Sequence, residues 1–142
     1  MRRKAFVLTL IAWRLFTLDV DGSSAAQVEA GAQSRANAGA GRSVFNGKGV
    51  CYYCHGVDGD RTKMPQLAPD TAALIAQLNP QPPDLRTPKL LRLKNDAERA
   101  KAIREGHPGT GMFPDTTMTE EELAGTLAYL AVLRREGHRT RP

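Results

Sequence analysis

The chain has 142 residues, 41% of them hydrophobic and 25% charged, which excludes a disordered polymer and leaves room for one domain. The formal net charge is +5, but no basic run is interleaved with aromatics, so nucleic-acid binding is not indicated. Aromatics make up only 6%, so the protein-only core is modest, and a large apolar cofactor at its centre would enlarge it.

In chain order, the sequence opens like an export signal. Arg2, Arg3 and Lys4 are followed by the apolar run Ala5 to Trp13. Small residues at Ser23, Ser24, Ala25 and Ala26 then offer Ser24-x-Ala26 as a cleavage site. Residues 1–26 are thus expected to be a signal peptide, and 27–142 the mature domain with 36–135 as its core. Arg14 interrupts the apolar run early, which leaves an uncleaved anchor or an amphipathic tail as alternatives. The run is shorter than the roughly 20 residues a spanning helix needs. Removing 1–26 takes away four basic and two acidic side chains and leaves a net charge of +3. Export implies folding outside the cytoplasm, in a bacterial periplasm, with membrane contact only if the segment stays attached.

An Ala- and Gly-rich stretch follows and becomes helical from Ala36 to Phe45, where Gly47-Lys48-Gly49 breaks it. Next come Val50-Cys51-Tyr52-Tyr53-Cys54-His55-Gly56 and a polar loop through Met64-Pro65. Asp70 can cap a short helix from Thr71 to Leu78, stopped by Asn79-Pro80. The run Pro80-Gln81-Pro82-Pro83-Asp84-Leu85 is too rich in proline for helix and is expected to be extended. Asn95 and Glu98 form a capping-box pattern for a helix ending at Gly106, and residues 107–117 read as a loop. The last helix has Thr119 as N-cap and Glu122 at N3, with acidic Glu120 and Glu121 in its first turn. Leu123, Leu127, Leu130 and Leu133 give it one apolar stripe, and Gly137 is expected to end it. No segment alternates with period 2, so the fold class is all-α.

Both cysteines lie three residues apart and a histidine follows at once, the Cys-x-x-Cys-His signature of haem attachment. Thiols at Cys51 and Cys54 can reach the two vinyl groups on one side of a porphyrin and form thioethers, while His55 lies under the iron as an axial ligand. Two propionates then bring the mature chain close to neutral. A thioredoxin-like redox pair would need an α/β pattern around it, and a zinc site would need a fourth ligand; neither is evident.

Five downstream side chains compete for the sixth iron position. Met112 sits in Gly109-Thr110-Gly111-Met112-Phe113-Pro114, where small residues allow close backbone approach and proline stiffens the exit. Met118 precedes the Thr119 N-cap and pairs with Leu123 as a hydrophobic staple. Met64 is close in sequence to His55, which makes the opposite haem face awkward to reach. His138 follows the last helix and reads as surface, whereas His107 shares Met112's loop and remains its rival. Met112 is the preferred choice.

These residues resemble the class I c-type cytochromes, the mono-haem group related to mitochondrial cytochrome c. The resemblance covers roughly Ala38 to Arg135. It rests on Gly41-x-x-x-Phe45, Cys51-Tyr52-Tyr53-Cys54-His55-Gly56, Pro82-Pro83-Asp84-Leu85, Gly111-Met112-Phe113-Pro114 and Leu127-Ala128-Tyr129-Leu130. It implies a helical domain wrapped around one covalent haem c, with Gly41, Phe45 and Tyr129 where the first and last helices cross. The sequence departs from the family at Thr126, where a large apolar residue is usual, and at Phe113, where proline often follows the methionine directly.

With His55 and Met112 both on iron, no position is open for a substrate, and outer-sphere single-electron transfer remains. Redox partners are then expected to dock transiently at the exposed haem edge, bordered by Lys48, Tyr52, Tyr53 and Lys63. The same chemistry suits a free carrier or a subunit of an oxidoreductase. A five-coordinate haem enzyme or gas sensor is the alternative, and it requires Met112 to be a packing residue only.

Overall fold

Seven alanines between positions 25 and 40 make this part of the chain a strong helix former, despite Gly31 and Gly39. The computed structural model describes residues 23–87, 89 and 91–139, without the side chains of 23–25 and 138. The expected signal segment thus lies almost wholly outside the described residues, as does the His138 side chain. Helix α1 spans Ser23–Phe45, α2 Tyr52–His55, α3 Pro69–Ala76, α4 Asp96–Glu105 and α5 Glu120–Arg139, with a 3-10 turn at Val57–Gly59 after α2. No strand occurs among the described residues, so the all-α expectation holds.

The four longer helices follow the sequence, whereas the short α2 turn and the 3-10 turn after it are not expected from it. Helices α1, α3 and α5 differ from it in their boundaries. Helix α1 begins at Ser23 rather than Ala36, because alanine carries the helix through a stretch that has little apolar patterning to announce it. Helix α3 is entered through Ala68 with Pro69 in the first turn, so Asp70 lies inside that turn instead of capping it. Helix α5 continues past Gly137 to Arg139. A Cβ at Gly137 would fall 1.6 Å from the Arg86 carbonyl oxygen, so this glycine serves a close approach rather than a stop.

The Thr119–Glu122 capping box forms in full, and at Asn95 the cap forms with the Glu98 carboxylate bonded one residue further back. Asn95 Oδ1 accepts from Glu98 N at 2.8 Å, and the Glu98 carboxylate reaches back to Lys94 N at 2.6 Å. Thr119 Oγ1 accepts from Glu122 N at 3.2 Å while Glu122 Oε2 accepts from Thr119 N at 2.8 Å.

Helices α1 and α5 cross in backbone contact. A Cβ at Gly41 would lie 1.9 Å from the Gly125 carbonyl oxygen and 2.6 Å from Thr126 N, so the two backbones touch without side chains between them. One turn along, Phe45 and Tyr129 meet edge to face with centroids 5.7 Å apart. The expected crossing by Gly41, Phe45 and Tyr129 is therefore the observed one, with Gly125 as a fourth member.

The leucine stripe of α5 divides. Thr126, Tyr129 and Leu133 are fully buried at i, i+3, i+7 spacing, and Tyr129 and Leu133 form a cluster with Phe45. Leu123 joins Ile103 and Met118 in a second cluster, against which Leu127, Leu130, Met112 and Cys51 pack half-buried. The Met118–Leu123 contact is the hydrophobic staple read from the sequence.

Thr126 is 1% exposed and its hydroxyl has no hydrogen-bond partner. Burying an unsatisfied hydroxyl costs about 1–3 kcal/mol. Thr126→Val, which keeps the shape, is expected to raise unfolding stability by about 1 kcal/mol in urea titration. Gly41→Ala is expected to lower it by about 1–3 kcal/mol through overpacking. An unchanged midpoint for Gly41→Ala would show that the crossing can relax apart.

Candidate functional site

Cys51 sits in α-helical geometry at the N-cap of α2 and feeds directly into that single turn. His55 N donates to Cys51 O at 3.0 Å, so both thiols and the imidazole belong to one hydrogen-bonded unit. Gly56 ends the turn at φ 79°, where a Cβ would fall 2.0 Å from Asp60 O; only glycine lets the chain leave here.

The imidazole is oriented from outside the motif. His55 Nδ1 lies 3.0 Å from the Pro83 carbonyl oxygen. A carbonyl only accepts, so Nδ1 carries the proton and Nε2 presents a lone pair. Burial pushes the imidazole pKa down, outweighing the Pro83 bond, so the ring is neutral near pH 7. A neutral imidazole with one nitrogen fixed by a carbonyl and the other free is the form that ligates a metal.

The thiols are poorly suited to redox exchange. Burial, with Asp115 nearby, pushes Cys51 up to about 11. Burial also raises Cys54, more than the Arg61 charge lowers it. Reactive dithiols show the opposite shift. Among the described residues no group of three or more His, Cys, Asp or Glu side chains could hold a metal ion.

Cys51 packs against both core clusters, and Met112 packs against the one formed by Ile103, Met118 and Leu123. The fold thus brings the cysteine motif and the Met112 loop to the same apolar centre. Met112 is held by its backbone: its N donates to Thr110 Oγ1 at 3.1 Å, and its carbonyl accepts from His107 N at 2.9 Å. The Leu78 side chain lies against Gly111 and brings the end of α3 to this loop. Met118 is fully buried with its Cε over Gly49, and His107 is half-buried. Met64 is exposed.

A profile of the family described as Cytochrome c matches residues 38–134, well over half of the chain. The chain belongs to the cytochrome c family. It is a c-type cytochrome, a haem-based electron-transfer protein, and the helical fold agrees with that membership. No curated protein and no solved structure matches the chain significantly.

The residues present fit haem c. The donor set is chemically right: two protonated thiols on one turn, a neutral imidazole with a free Nε2, and a thioether on a loop reaching the same cluster. Half-buried Leu127, Leu130 and Ala100 supply apolar surface around them.

Several residues that shape this site carry no signal in the sequence. Arg61 donates to the Cys54 carbonyl and, at 3.2 Å, to Gln81 Oε1. Asp58 gathers Arg42 through two bonds of 2.8 and 2.7 Å, Asn46 Nδ2 at 2.7 Å and the Tyr129 hydroxyl at 2.6 Å. Its partners come from two helices, and nothing in local spacing announces them.

The Arg42 guanidinium, helped by Tyr129 and Asn46 and opposed by burial, holds the Asp58 carboxyl well below the usual carboxylate range. A depressed folded-state pKa contributes stability that is complete above the unfolded pKa of about 4 and is lost as pH falls below it. Asp58→Asn is expected to cost about 2 kcal/mol at pH 7. The gap to the parent should shrink in urea titrations near pH 3; a constant gap would mean that Asp58 contributes by shape rather than charge.

Proposed function

We propose that this c-type cytochrome carries one haem, attached through Cys51 and Cys54, with His55 and Met112 as axial ligands, and that it relays single electrons between redox partners outside the cytoplasm. The observation that carries this reading is the His55–Pro83 hydrogen bond, which presents Nε2 as a ligand beside two thiols held in protonated form.

When bound, the haem supplies the one-electron chemistry of its iron. The chain's part is to hold and enclose. Cys51 and Cys54 would be consumed in thioether bonds, which agrees with their unsuitability as a dithiol switch. Pro83 O keeps the His55 proton on Nδ1. Thr110 and His107 fix the backbone on either side of the Met112 side chain, and Leu127 and Leu130 exclude water from that side.

Docking of partners would draw on residues flanking the motif. Lys48 is paired with Glu122 at 2.7 Å and Lys63 with Asp60 at 3.4 Å, so their charges are largely neutralised locally. Val50 is 45% exposed and Phe113 is 75% exposed, which offers apolar contact. A free carrier and an oxidoreductase subunit would use the same surface, and the segment 1–26 would serve export to the periplasm.

The test is the optical spectrum of the purified protein, oxidised and reduced. A low-spin haem c spectrum with the weak long-wavelength band of methionine–iron ligation is expected. That band should vanish in Met112→Ala and persist in Met118→Ala. Loss in Met118→Ala alone would transfer the ligand to Met118. High-spin iron that readily takes carbon monoxide would replace the carrier with an open-site enzyme or sensor.

A further inference from the structure

The His55 ring depends on a carbonyl that lies 28 residues away in sequence, so whatever fixes Pro83 fixes the ring. Pro83 has no N–H of its own and begins a strap, residues 83–87, that crosses behind the cysteine motif. Asp84 shapes the strap from within: its carboxylate accepts from Arg86 N at 2.8 Å and its carbonyl from Thr87 N at 3.1 Å.

The strap is then tied to the Val57–Gly59 turn at two points. Leu85 N donates to Gly59 O at 3.1 Å, and Arg86 Nε donates to Asp58 O at 3.0 Å. On its far side the Arg86 carbonyl lies against Gly137 of α5. The turn contains a strained position. Asp58 stands at φ 55°, ψ 33°, left-handed geometry that costs a non-glycine residue energy unless its surroundings hold it. What holds it is the carboxylate, gripped by Arg42 of α1, by Asn46 just past its end and by Tyr129 of α5, with Asp58 N returning a bond to Asn46 Oδ1 at 2.9 Å.

We infer that Asp58 and Arg86 are positioning residues for the His55 imidazole, transmitting the α1–α5 crossing through the Pro83 carbonyl to the axial nitrogen. The inference rests on the proposed role of His55 as an iron ligand. A firm Nδ1–H···O bond makes Nε2 more basic and fixes the ring plane; the more basic ligand favours ferric iron and lowers the potential. Loosening the strap should therefore raise the potential and let the ring turn.

The experiment uses full-length, haem-loaded protein and the variants Arg86→Met, Arg86→Lys, Asp58→Asn and Tyr129→Phe. Asn95→Ala serves as a control that weakens a helix cap on α4, remote from the strap, by about 1 kcal/mol. Two readouts respond to the ligand rather than to stability: the midpoint potential, and the spread of hyperfine-shifted haem methyl resonances, which reports the axial ring planes.

Arg86→Met and Asp58→Asn are expected to lower the ferric-to-ferrous ratio at a fixed solution potential by about threefold to tenfold. That is at or below the small end of the roughly 10–100-fold carried by groups bonded directly to a ligand. Both should shift the methyl pattern. Arg86→Lys, which keeps a donor toward Asp58 O, should stay near the parent. Tyr129→Phe removes only a hydroxyl and should move both readouts the same way by less, which preserves the test if a stronger variant does not fold. Potentials and methyl shifts in all variants equal to those of Asn95→Ala would overturn the inference and leave Asp58 and Arg86 as structural residues only. A parent protein without histidine-ligated haem c would overturn the proposed function itself, and this inference with it.

Discussion

The close crossing of α1 and α5 is the constraint on which the rest of the structure depends. Gly41 and Gly125 let two backbones touch, and this contact sets where every neighbouring side chain can go. Phe45 and Tyr129 can meet edge to face only because the helices are that near. The same approach sends Arg42, Asn46 and the Tyr129 hydroxyl to one side, where they converge on Asp58. The opposite side of α5 is left with Leu127 and Leu130, which pack against the same cluster as Cys51 and Met112. One contact thus divides the last helix into a structural face and a face directed toward the cysteine motif.

From this division the polarity of the site follows. On the structural face an aromatic pair and a charged cluster coexist, since Asp58 is surrounded by donors and its negative charge is met by Arg42. On the other face the environment is apolar enough to keep both thiols protonated and the imidazole neutral. Thiols pushed up by burial are the opposite of the depressed ones that dithiol exchange uses, although both kinds of site can carry two cysteines at the same spacing.

Sequence reading recovered what depends on local spacing. Cys51, Cys54 and His55 are adjacent in the chain, and the caps at Asn95 and Thr119 follow from residues three apart, so their patterns are visible without a fold. The Gly41, Phe45 and Tyr129 crossing was accessible only through family resemblance, because no local rule pairs residues from opposite ends of a domain. The Asp58 cluster was not accessible at all: Arg42 and Asn46 are ordinary surface types until the helices cross, and nothing assigns the Tyr129 hydroxyl a partner before then. Gly137 shows the reverse error. A glycine near a helix end usually reads as a stop, but here the nearby Arg86 carbonyl explains it. The long start of α1 was missed because alanine makes helix without making an amphipathic pattern.

The crossing also has a consequence for the order of events during folding. It joins the first helix of the domain to the last, with the cysteine motif near the beginning of the intervening chain. A contact this distant in sequence must wait for loop closure and, during synthesis, for the C-terminal helix to emerge. Cys51 and Cys54 therefore become available while Tyr129 and Leu133 are still absent from the core. The motif is thus complete in sequence before the core that Cys51 packs against, and the arrival of α5 is the step that closes it.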